Sequence, residues 1–524
     1  MRTFLSRHFI LFLLLLASLG ALYHRSTSQE KDCRLKITLV DSQTKKSIPG
    51  VIRCFTQSGN QAVPVGGALA RGQGLEGKDA LPDWYVITES AETLLPRQPL
   101  KLEAFAGLET ELASVSIDLS GRDQESLTIP LRSFSQVSRQ GWYGGNTHLH
   151  LSNLNKDQAD RYLREIPRAD HLDVLFISYL ERAVVDKDYI TNRYPLGDLK
   201  QFWSTGVLVN NGEEHRHNFG DQGEGFGHVM LLNIRNLVQP VSIGPGISHQ
   251  GTDGTALQSG IDAAHRQGGV AIWCHNNWGM EDVPNFVSRK LEAQNIFDGG
   301  THGSYEDSFY HYLNAGIRVP FSTGTDWFMY DLARVYTKVV GDLGIKSWLD
   351  ALVAGRSFIS NGPLFELTVG GQEVGDTVNL KSGREVQVKG KAIGRVNFEK
   401  LQLIKNGKVI AEVDPRSSKD HFEARLDRGV EIDEPGWLAL RISTKANNEF
   451  GRQLFGHTSP IYITVDGKSI RIKDEVEYLM KQMEDARQTV ATKSLFATKE
   501  ERERVLSIYT RGMETLRGPG ASLR

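Results

Sequence analysis

The sequence predicts a mixed α/β protein in which an α/β barrel lies between two β-sandwiches and is followed by a helical tail. Short alternating strands broken by Gly, Pro and Ser occupy residues 30–135 and return over residues 364–466. Over residues 136–363, apolar strand runs alternate with helical stretches, which favours parallel strands joined by crossover helices. Residues 467–524 keep apolar side chains at helical spacing.

Residues 1–29 have the pattern of an export signal peptide. Arg2 and Arg7 precede an apolar run from Phe9 to about Tyr23, and small and polar residues follow. The run is short for a membrane span, which needs about 20 residues. We therefore expect an exported protein, periplasmic or extracellular. An uncleaved N-terminal membrane anchor is the alternative, because the segment lacks a clean A-x-A cleavage motif.

The overall composition indicates an ordinary globular protein of several domains. The chain has 524 residues, 40% apolar residues, 24% charged residues and a formal charge of -2. No basic stripe with interleaved aromatic residues is present, so a nucleic-acid partner is not expected. The sequence leaves the oligomeric state open.

The three cysteines receive different interpretations. Cys33 opens the first strand-like run and Cys54 closes the next. The two could face each other across a hairpin and oxidise in an exported protein, or stay reduced. Cys274 lies in the apolar stretch "GGVAIWCHNN", where we interpret it as a small buried residue.

The C-terminal third contains two local signals. In "KLQLIKNGKVIAEV", Asn406 and Gly407 suit the type I′ turn of a β-hairpin. In the tail, Thr498 and Glu501 are spaced as a capping box that opens the last helix. The tail either packs on the chain's own domains or binds a partner.

Metal-competent residues recur at the ends of the predicted central strands. His148 and His150 lie two apart, so their side chains share one face of an extended segment. Imidazoles and carboxylates bind Zn²⁺, Mn²⁺ or Fe²⁺, and one carboxylate can bridge two ions. The full set of six is His148 and His150 in "GGNTHLH", Glu214 in "NNGEEHRH", His228 in "GFGHVML", His275 in "AIWCHNN" and Asp326 in "STGTDWF".

The order of these motifs resembles the polymerase-and-histidinol-phosphatase (PHP) family of metallohydrolases. H-x-H is followed by G-x-E, G-H, a strand ending in His, and G-[ST]-D. The flanking "GWYGGNTHLH" and "ALVAGRSFISNGPLFELTVGG" resemble the branch named after the carbaryl hydrolases CehA and McbA. The resemblance covers about residues 141–370, and a following sandwich is also typical of that branch. It implies a distorted seven-stranded (β/α) barrel with metals at its C-terminal face.

The resemblance also implies a function and a set of roles. It implies a hydrolase with two divalent ions, Zn, Mn or Fe, that activates water against an ester, carbamate or phosphoester. The substrate would be a small molecule or a glycan-linked group. We take His215 as a candidate proton donor to the leaving group. The implied ligands are His148, His150 and Asp326 for one ion, His228 and His275 for the second, and Glu214 as the bridge.

The sequence departs from the family pattern at five positions. Ser178, Tyr179 and Leu180 stand where the family usually has T-D-H, and Phe328 stands where the family often has the histidine of a D-x-H motif after the last strand. Asn146 replaces an aspartate. The missing histidines belong to a third metal position, so two ions are expected. The alternative function is a degenerate, non-catalytic binding module whose sandwiches bind glycan or cell-surface material.

Four other polar residues are candidates for the site or for a structural role. His217 either reaches the metal centre or lies in a solvated loop. Asp253 or Thr252 is expected to cap the helix that follows it. Arg334 either faces an anionic substrate or lies on a surface strand.

Overall fold

The computed structural model describes most of the chain beyond the N-terminal segment. Residues 1–29, the predicted signal peptide or anchor, lie outside the described part. None of the helices described is long and apolar enough to cross a membrane. The described ranges are residues 32–59, 61–181, 189–219, 225–245, 251–276, 279–300 and 303–518.

The chain divides into two compact units. The first holds the described residues up to Arg71 together with Pro82–Ala106 and Leu112–Arg132. The second holds Gly72–Leu81, Gly107–Glu111 and the described residues from Ser133 onward. The regions predicted as a barrel, a second sandwich and a tail therefore lie in one unit.

The first unit consists of two β-sheets around an apolar core. One sheet has the order β5-β1-β8 and the other has the order β3-β4-β2-β6-β7, which is consistent with a β-sandwich. The strands are β1 (Asp32–Asp41), β2 (Gly50–Thr56), β3 (Leu69–Ala70), β4 (Tyr85–Ile87), β5 (Ser90–Pro96), β6 (Pro99–Phe105), β7 (Ala113–Asp118) and β8 (Gln124–Leu131).

Strand β1 shows how the sequence pattern builds this core. Cys33, Leu35, Ile37 and Leu39 alternate along the strand and are fully buried because side chains two apart share one face. The expected facing of Cys33 and Cys54 across a hairpin is wrong. Strands β1 and β2 belong to different sheets, and both cysteines are buried free thiols.

The second unit is mixed α/β, with most of its central strands in one large sheet and two of them in a separate two-stranded sheet. The helices are short apart from the last two. Central strands are β9 (Trp142–Asn146), β10 (Leu149–His150), β11 (Val174–Tyr179), β12 (Gly197–Asp198), β13 (Leu208–His217), β14 (Gly227–Leu232), β15 (Ser242–Ile243), β16 (Val270–Trp273), β17 (Ala293–Asn295), β18 (Phe321–Ser322), β19 (Asp326–Trp327), β20 (Arg334–Lys338) and β21 (Ser357–Ser360). Helices are α1 (Lys156–Ala169), α2 (Lys200–Trp203), α3 (Leu257–His265), α4 (Asp282–Val287), α5 (Phe309–Asn314), α6 (Ile345–Val353), α7 (Lys473–Lys493) and α8 (Lys499–Arg517).

The central sheet differs from the regular strand–helix alternation that the sequence predicts. Strands β9, β11 and β13 are parallel neighbours, but β14 is antiparallel to both β13 and β16. The connection from His217 to Gly227 is too short for the crossover that parallel strands require, which takes a dozen or more residues. Pairing closes the sheet on itself through strands that include several from the C-terminal part of the chain.

Five of the C-terminal strands form a further sheet with the order β23-β22-β25-β29-β28. The predicted hairpin at Asn406 and Gly407 is confirmed, since both residues have positive φ between β26 and β27. The strands are β22 (Leu364–Val369), β23 (Gln372–Glu373), β24 (Thr377–Leu380), β25 (Arg384–Gly394), β26 (Lys400–Lys405), β27 (Lys408–Val413), β28 (Arg416–Ser418), β29 (His421–Ile432), β30 (Gly436–Ser443), β31 (Gly456–Thr458) and β32 (Ile461–Val465).

The tail packs onto the chain's own central region. Buried residues of α7 and α8, including Leu479 and Tyr509, join the same apolar core as the central strands. Thr498 caps α8 by accepting from the backbone N–H of Glu501 at 3.2 Å. The Glu501 carboxylate accepts instead from Thr252 Oγ1 and from the backbone of Ala497, so the predicted capping box is half formed.

Candidate metal centre

Strands β10 and β19 place the first three candidate ligands. They pair in parallel, with Leu149 opposite Asp326, and the backbone N–H of Asp326 donates to the carbonyl of His148 at 2.9 Å. The Nε2 atoms of His148 and His150 lie 2.9 Å apart. Asp326 Oδ1 lies 3.5 Å from the first of these nitrogens and 3.6 Å from the second.

Glu214 lies on the face of β13 that points to these residues, and its two oxygens face different groups. Oε2 is 3.0 Å from His150 Nε2 and 3.7 Å from His148 Nε2. Oε1 is 3.3 Å from His228 Nδ1 and 4.0 Å from His275 Nε2. One carboxylate thus joins two adjacent clusters.

The two clusters contain all six metal ligands predicted from the sequence. Their members are at most 8% exposed. In each cluster, one ligand atom from every residue lies within 4.8 Å of the others, which is a geometry that could hold a metal ion. The first cluster is His148, His150, Glu214 and Asp326, and the second is Glu214, His228 and His275.

The hydrogen bonds of the two leading histidines leave their Nε2 lone pairs facing the first cluster. His150 Nδ1 lies 3.0 Å from the carbonyl oxygen of Ser178, which can only accept, so that nitrogen carries the proton. His148 Nδ1 lies 2.8 Å from Asp298 Oδ2. Asp326 Oδ1 is buried and makes no hydrogen bond to the described residues. Lone pairs that converge in this way fit a cation.

Asp298 is a functional candidate that the sequence analysis missed. It follows β17, and Asn295 Nδ2 donates to the same Oδ2 atom at 2.9 Å. A carboxylate behind a metal-binding histidine fixes the ring orientation and raises its basicity. The sequence "QNIFDGG" contained a usable signal, because Asp298 follows a short strand. A metal-competent residue at a strand end was the criterion that selected the six ligands.

Charges in and around the clusters shift several pKa values. Burial acts to lower the pKa of His148, but the carboxylates of Asp298 and Asp326 outweigh it and hold that pKa well above the ordinary value. Burial acts to raise the pKa of Glu214, whereas Arg216 and the histidine contacts bring it well below the ordinary value. The pKa of Asp298 is lowered against the effect of burial, mainly by the charge of His148. The carboxylates of Glu214 and Asp298 are therefore held in the form that binds cations. The raised pKa of His148 means that a metal ion bound there would have to displace a proton from its ring.

The structure does not bring His215 to the candidate metal centre, so the role given to it needs correction. Side chains alternate along β13, which places His215 on the face opposite Glu214. Its Nδ1 lies 3.0 Å from Glu213 Oε1, and its ring packs against Gly260 of α3. His215 therefore has a structural role, because it packs between β13 and α3.

His217 and Asp253 form a second structural pair on that opposite face. His217 Nε2 lies 2.9 Å from Asp253 Oδ1, and its ring stacks on Phe226 with centroids 3.6 Å apart. Asp253 also accepts from the backbone of Leu495. The expectation of a solvated His217 is wrong. The expectation of Asp253 or Thr252 as a helix cap is also wrong, because α3 begins after Ala256.

Arg334 matches neither of its two interpretations. It is 1% exposed, and its guanidinium donates to the carbonyl oxygens of Leu332 and Asp170. It therefore holds the backbone segments at Leu332 and Asp170 and does not face solvent.

The residues that depart from the family pattern are either hydrogen-bonded or buried in the structure. Asn146 Nδ2 donates to Thr325 Oγ1 at 2.7 Å, and its Oδ1 accepts from the backbone of His148. Leu180 and Phe328 are buried. Neither Leu180 nor Phe328 carries a side-chain atom that can bind a metal, so neither side chain supplies a ligand to a third ion.

Cys274 is a fully buried side chain beside the first cluster, as its apolar surroundings predict. Its sulfur lies within 4.8 Å of ligand atoms of His148 and Asp298. Burial raises the pKa of the thiol well above its ordinary value, and nearby carboxylates add to the shift. The sulfur is therefore kept as a neutral thiol.

Comparison with family models and with curated protein sequences gives no match to this chain.

Proposed function

We propose that this chain is a metal-dependent hydrolase with a two-metal centre. The observation that carries the proposal is the placement of Glu214, whose two carboxylate oxygens face separate clusters of buried ligands. The motif order that resembles the PHP metallohydrolases supports it further. The bond attacked would be an ester, carbamate or phosphoester.

Each residue of the two clusters has a defined task in this proposal. Divalent ions bound there would lower the pKa of water towards neutrality and polarise a substrate oxygen. His148, His150 and Asp326 would hold one ion, His228 and His275 the other, and Glu214 both. When Glu214 is counted for both, the first ion would have four protein ligands and the second three, so a position for water or substrate remains at the second ion. Zn, Mn and Fe all suit this mixture of nitrogen and oxygen donors.

Aromatic side chains beside the first cluster offer a surface for a substrate. The half-buried ring of Trp327 lies over His150, with centroids 5.0 Å apart. The ring of Tyr189 contacts Trp327 edge to face, with centroids 5.3 Å apart. This surface suits the apolar or sugar face of a small-molecule or glycan-linked substrate. The apolar segment at residues 9–23 supports the further proposal that the hydrolase is exported.

A hydrolysis screen with a matched pair of variants tests the proposal. The full chain, supplied with Zn²⁺, Mn²⁺ or Fe²⁺, is assayed with p-nitrophenyl esters, carbamates and phosphodiesters. We expect turnover of one class, and a loss of at least about 100-fold in Glu214→Gln, because the shared ligand is removed. Glu213→Gln changes the neighbouring residue on the opposite face and should keep activity.

Two results would count against the hydrolase. Equal activity in Glu214→Gln and the wild-type chain would show that Glu214 takes no part in the reaction. A wild-type chain that holds metal and hydrolyses none of these substrates would favour the non-catalytic binding module.

A further inference from the structure

Arg216 lies on the same face of β13 as Glu214, where side chains two residues apart point the same way. Its Nη1 atom is 3.4 Å from Glu214 Oε1, and its Nε donates to Asn218 Oδ1 at 3.2 Å. The side chain is 9% exposed. A nearly buried cation therefore lies at the edge of the second cluster.

The guanidinium has donors to spare for a ligand. An arginine side chain carries five N–H groups in a planar fork, and this fork matches the paired oxygens of a carboxylate or phosphate. The two hydrogen bonds found within the described part of the chain use one N–H each and are long for charged groups. The remaining N–H groups are able to bind an anion.

The charge balance of the proposed metal centre supplies the reason for an anion. This step rests on the proposed function. Once two ions share Glu214, that carboxylate is neutralised without Arg216. The ions would also outweigh the carboxylates of Asp298 and Asp326. A buried guanidinium beside excess positive charge is unfavourable unless a negative group enters between them.

We propose that Arg216 binds an anionic oxygen-bearing group of the substrate, a phosphoryl group or a carboxylate, and selects anionic substrates over neutral ones. Arg216 is then a specificity-determining residue that contacts substrate. Its N–H groups would hold the anionic group next to the second cluster. The atoms of the scissile bond would then lie near Glu214, between the two clusters.

Anion binding by the metal-supplied full chain tests this role without relying on turnover. Calorimetric titrations with inorganic phosphate and with acetate compare the wild-type chain with Arg216→Gln and Arg216→Lys. We expect Arg216→Gln to weaken binding of one of these anions at least about tenfold, and Arg216→Lys to restore part of the loss, because Lys keeps the charge but not the fork. Arg428→Gln, which removes an exposed arginine, should bind both anions as the wild-type chain does.

Catalytic selectivity gives a second readout. For a phosphodiester and a neutral ester with the same p-nitrophenol leaving group, Arg216→Gln should lose kcat/KM at least about tenfold for the anionic substrate and stay within about twofold for the neutral one. Losses of equal size for both substrates would overturn the proposal.

Metal content separates failure of this inference from failure of the proposed function. Wild-type chain and Arg216→Gln should hold the same number of ions. A gain of one ion in Arg216→Gln would mean that Arg216 takes the place of the second ion, and would overturn the anion-binding role. Unchanged affinity for both anions in Arg216→Gln would also overturn it. If a chain that holds no metal binds phosphate and needs Arg216 to do so, the proposed metal-dependent hydrolase is refuted. The anion-binding role of Arg216 would then stand on its own.

Discussion

At the scale of single residues, the partner of one histidine nitrogen decides what the other nitrogen can do. His148 and His150 each direct Nδ1 to an acceptor, Asp298 in one case and the carbonyl of Ser178 in the other. Their Nε2 atoms then face Glu214, and each can donate a lone pair to a metal ion once it carries no proton. Since both rings are fully buried, no solvent competes for these positions, and the ring orientations are set by the protein.

The first prediction concerns the carboxylate behind His148. Asp298→Asn keeps an acceptor for Nδ1 but removes the negative charge, so the affinity for the first metal ion should fall by about 10- to 100-fold. Chelator competition on the full chain measures this affinity. The control is Asp253→Asn, which alters the carboxylate–histidine pair at His217 and should leave metal affinity unchanged. An equal effect in both variants would show that the loss is merely structural.

At the scale of elements, the sequence predicted the ligands better than the sheet that carries them. The six ligands could be found because metal chemistry restricts the residue types and the motif order resembles that of a known family. The expected position at strand ends is wrong for Glu214, which lies inside β13, and for His228, which lies near the start of β14. The direction of β14 could not be found from apolar runs, because a buried parallel strand and a buried antiparallel strand look alike in sequence. The role given to His215 failed for a related reason, since proximity to Glu214 along the chain was taken as proximity in space.

The second prediction concerns the turn between β18 and β19. A Cβ atom on Gly324 would lie 2.5 Å from the Cβ of His148 and 3.0 Å from its backbone nitrogen. Gly324→Ala must therefore displace the segment that carries His148, at a cost of roughly 1 to 3 kcal/mol in the free energy of unfolding. Urea denaturation and metal analysis should both show a loss. Gly518→Ala, where the nearest atom lies 3.4 Å away, should show neither.

At the scale of the whole molecule, a buried carboxylate away from the candidate metal centre links stability to pH. Glu281 is fully buried and accepts hydrogen bonds from the backbone of Leu257 and Gln258 at the start of α3. Burial raises its pKa from 4.5 to about 7. The folded chain therefore holds this proton more tightly than the unfolded chain does, and stability is lost as the pH rises from about 4.5 to 7.

The third prediction is that Glu281→Gln reduces this loss. We compare the free energy of unfolding of the variant with that of the wild-type chain at each pH. This difference should shift in favour of the variant by about 3 kcal/mol from pH 4 to pH 8, because the neutral amide never ionises. Urea denaturation at the two pH values measures the difference. Glu431→Gln, at an exposed position of β29, should give no such change. A Glu281→Gln variant that gains nothing at pH 8 would show that the ionised carboxylate is well accommodated.

The most direct test of a two-metal centre shared through Glu214 is metal analysis of the purified full chain and two variants. The wild-type chain should hold about two equivalents of Zn, Mn or Fe. Glu214→Gln should lose both ions, because its carboxylate serves both clusters, whereas His228→Asn should lose mainly one. A single equivalent in the wild-type chain, or equal partial losses in the two variants, would contradict the bridge. Three tightly held equivalents would contradict the prediction that Leu180 and Phe328 leave the chain without a third metal position.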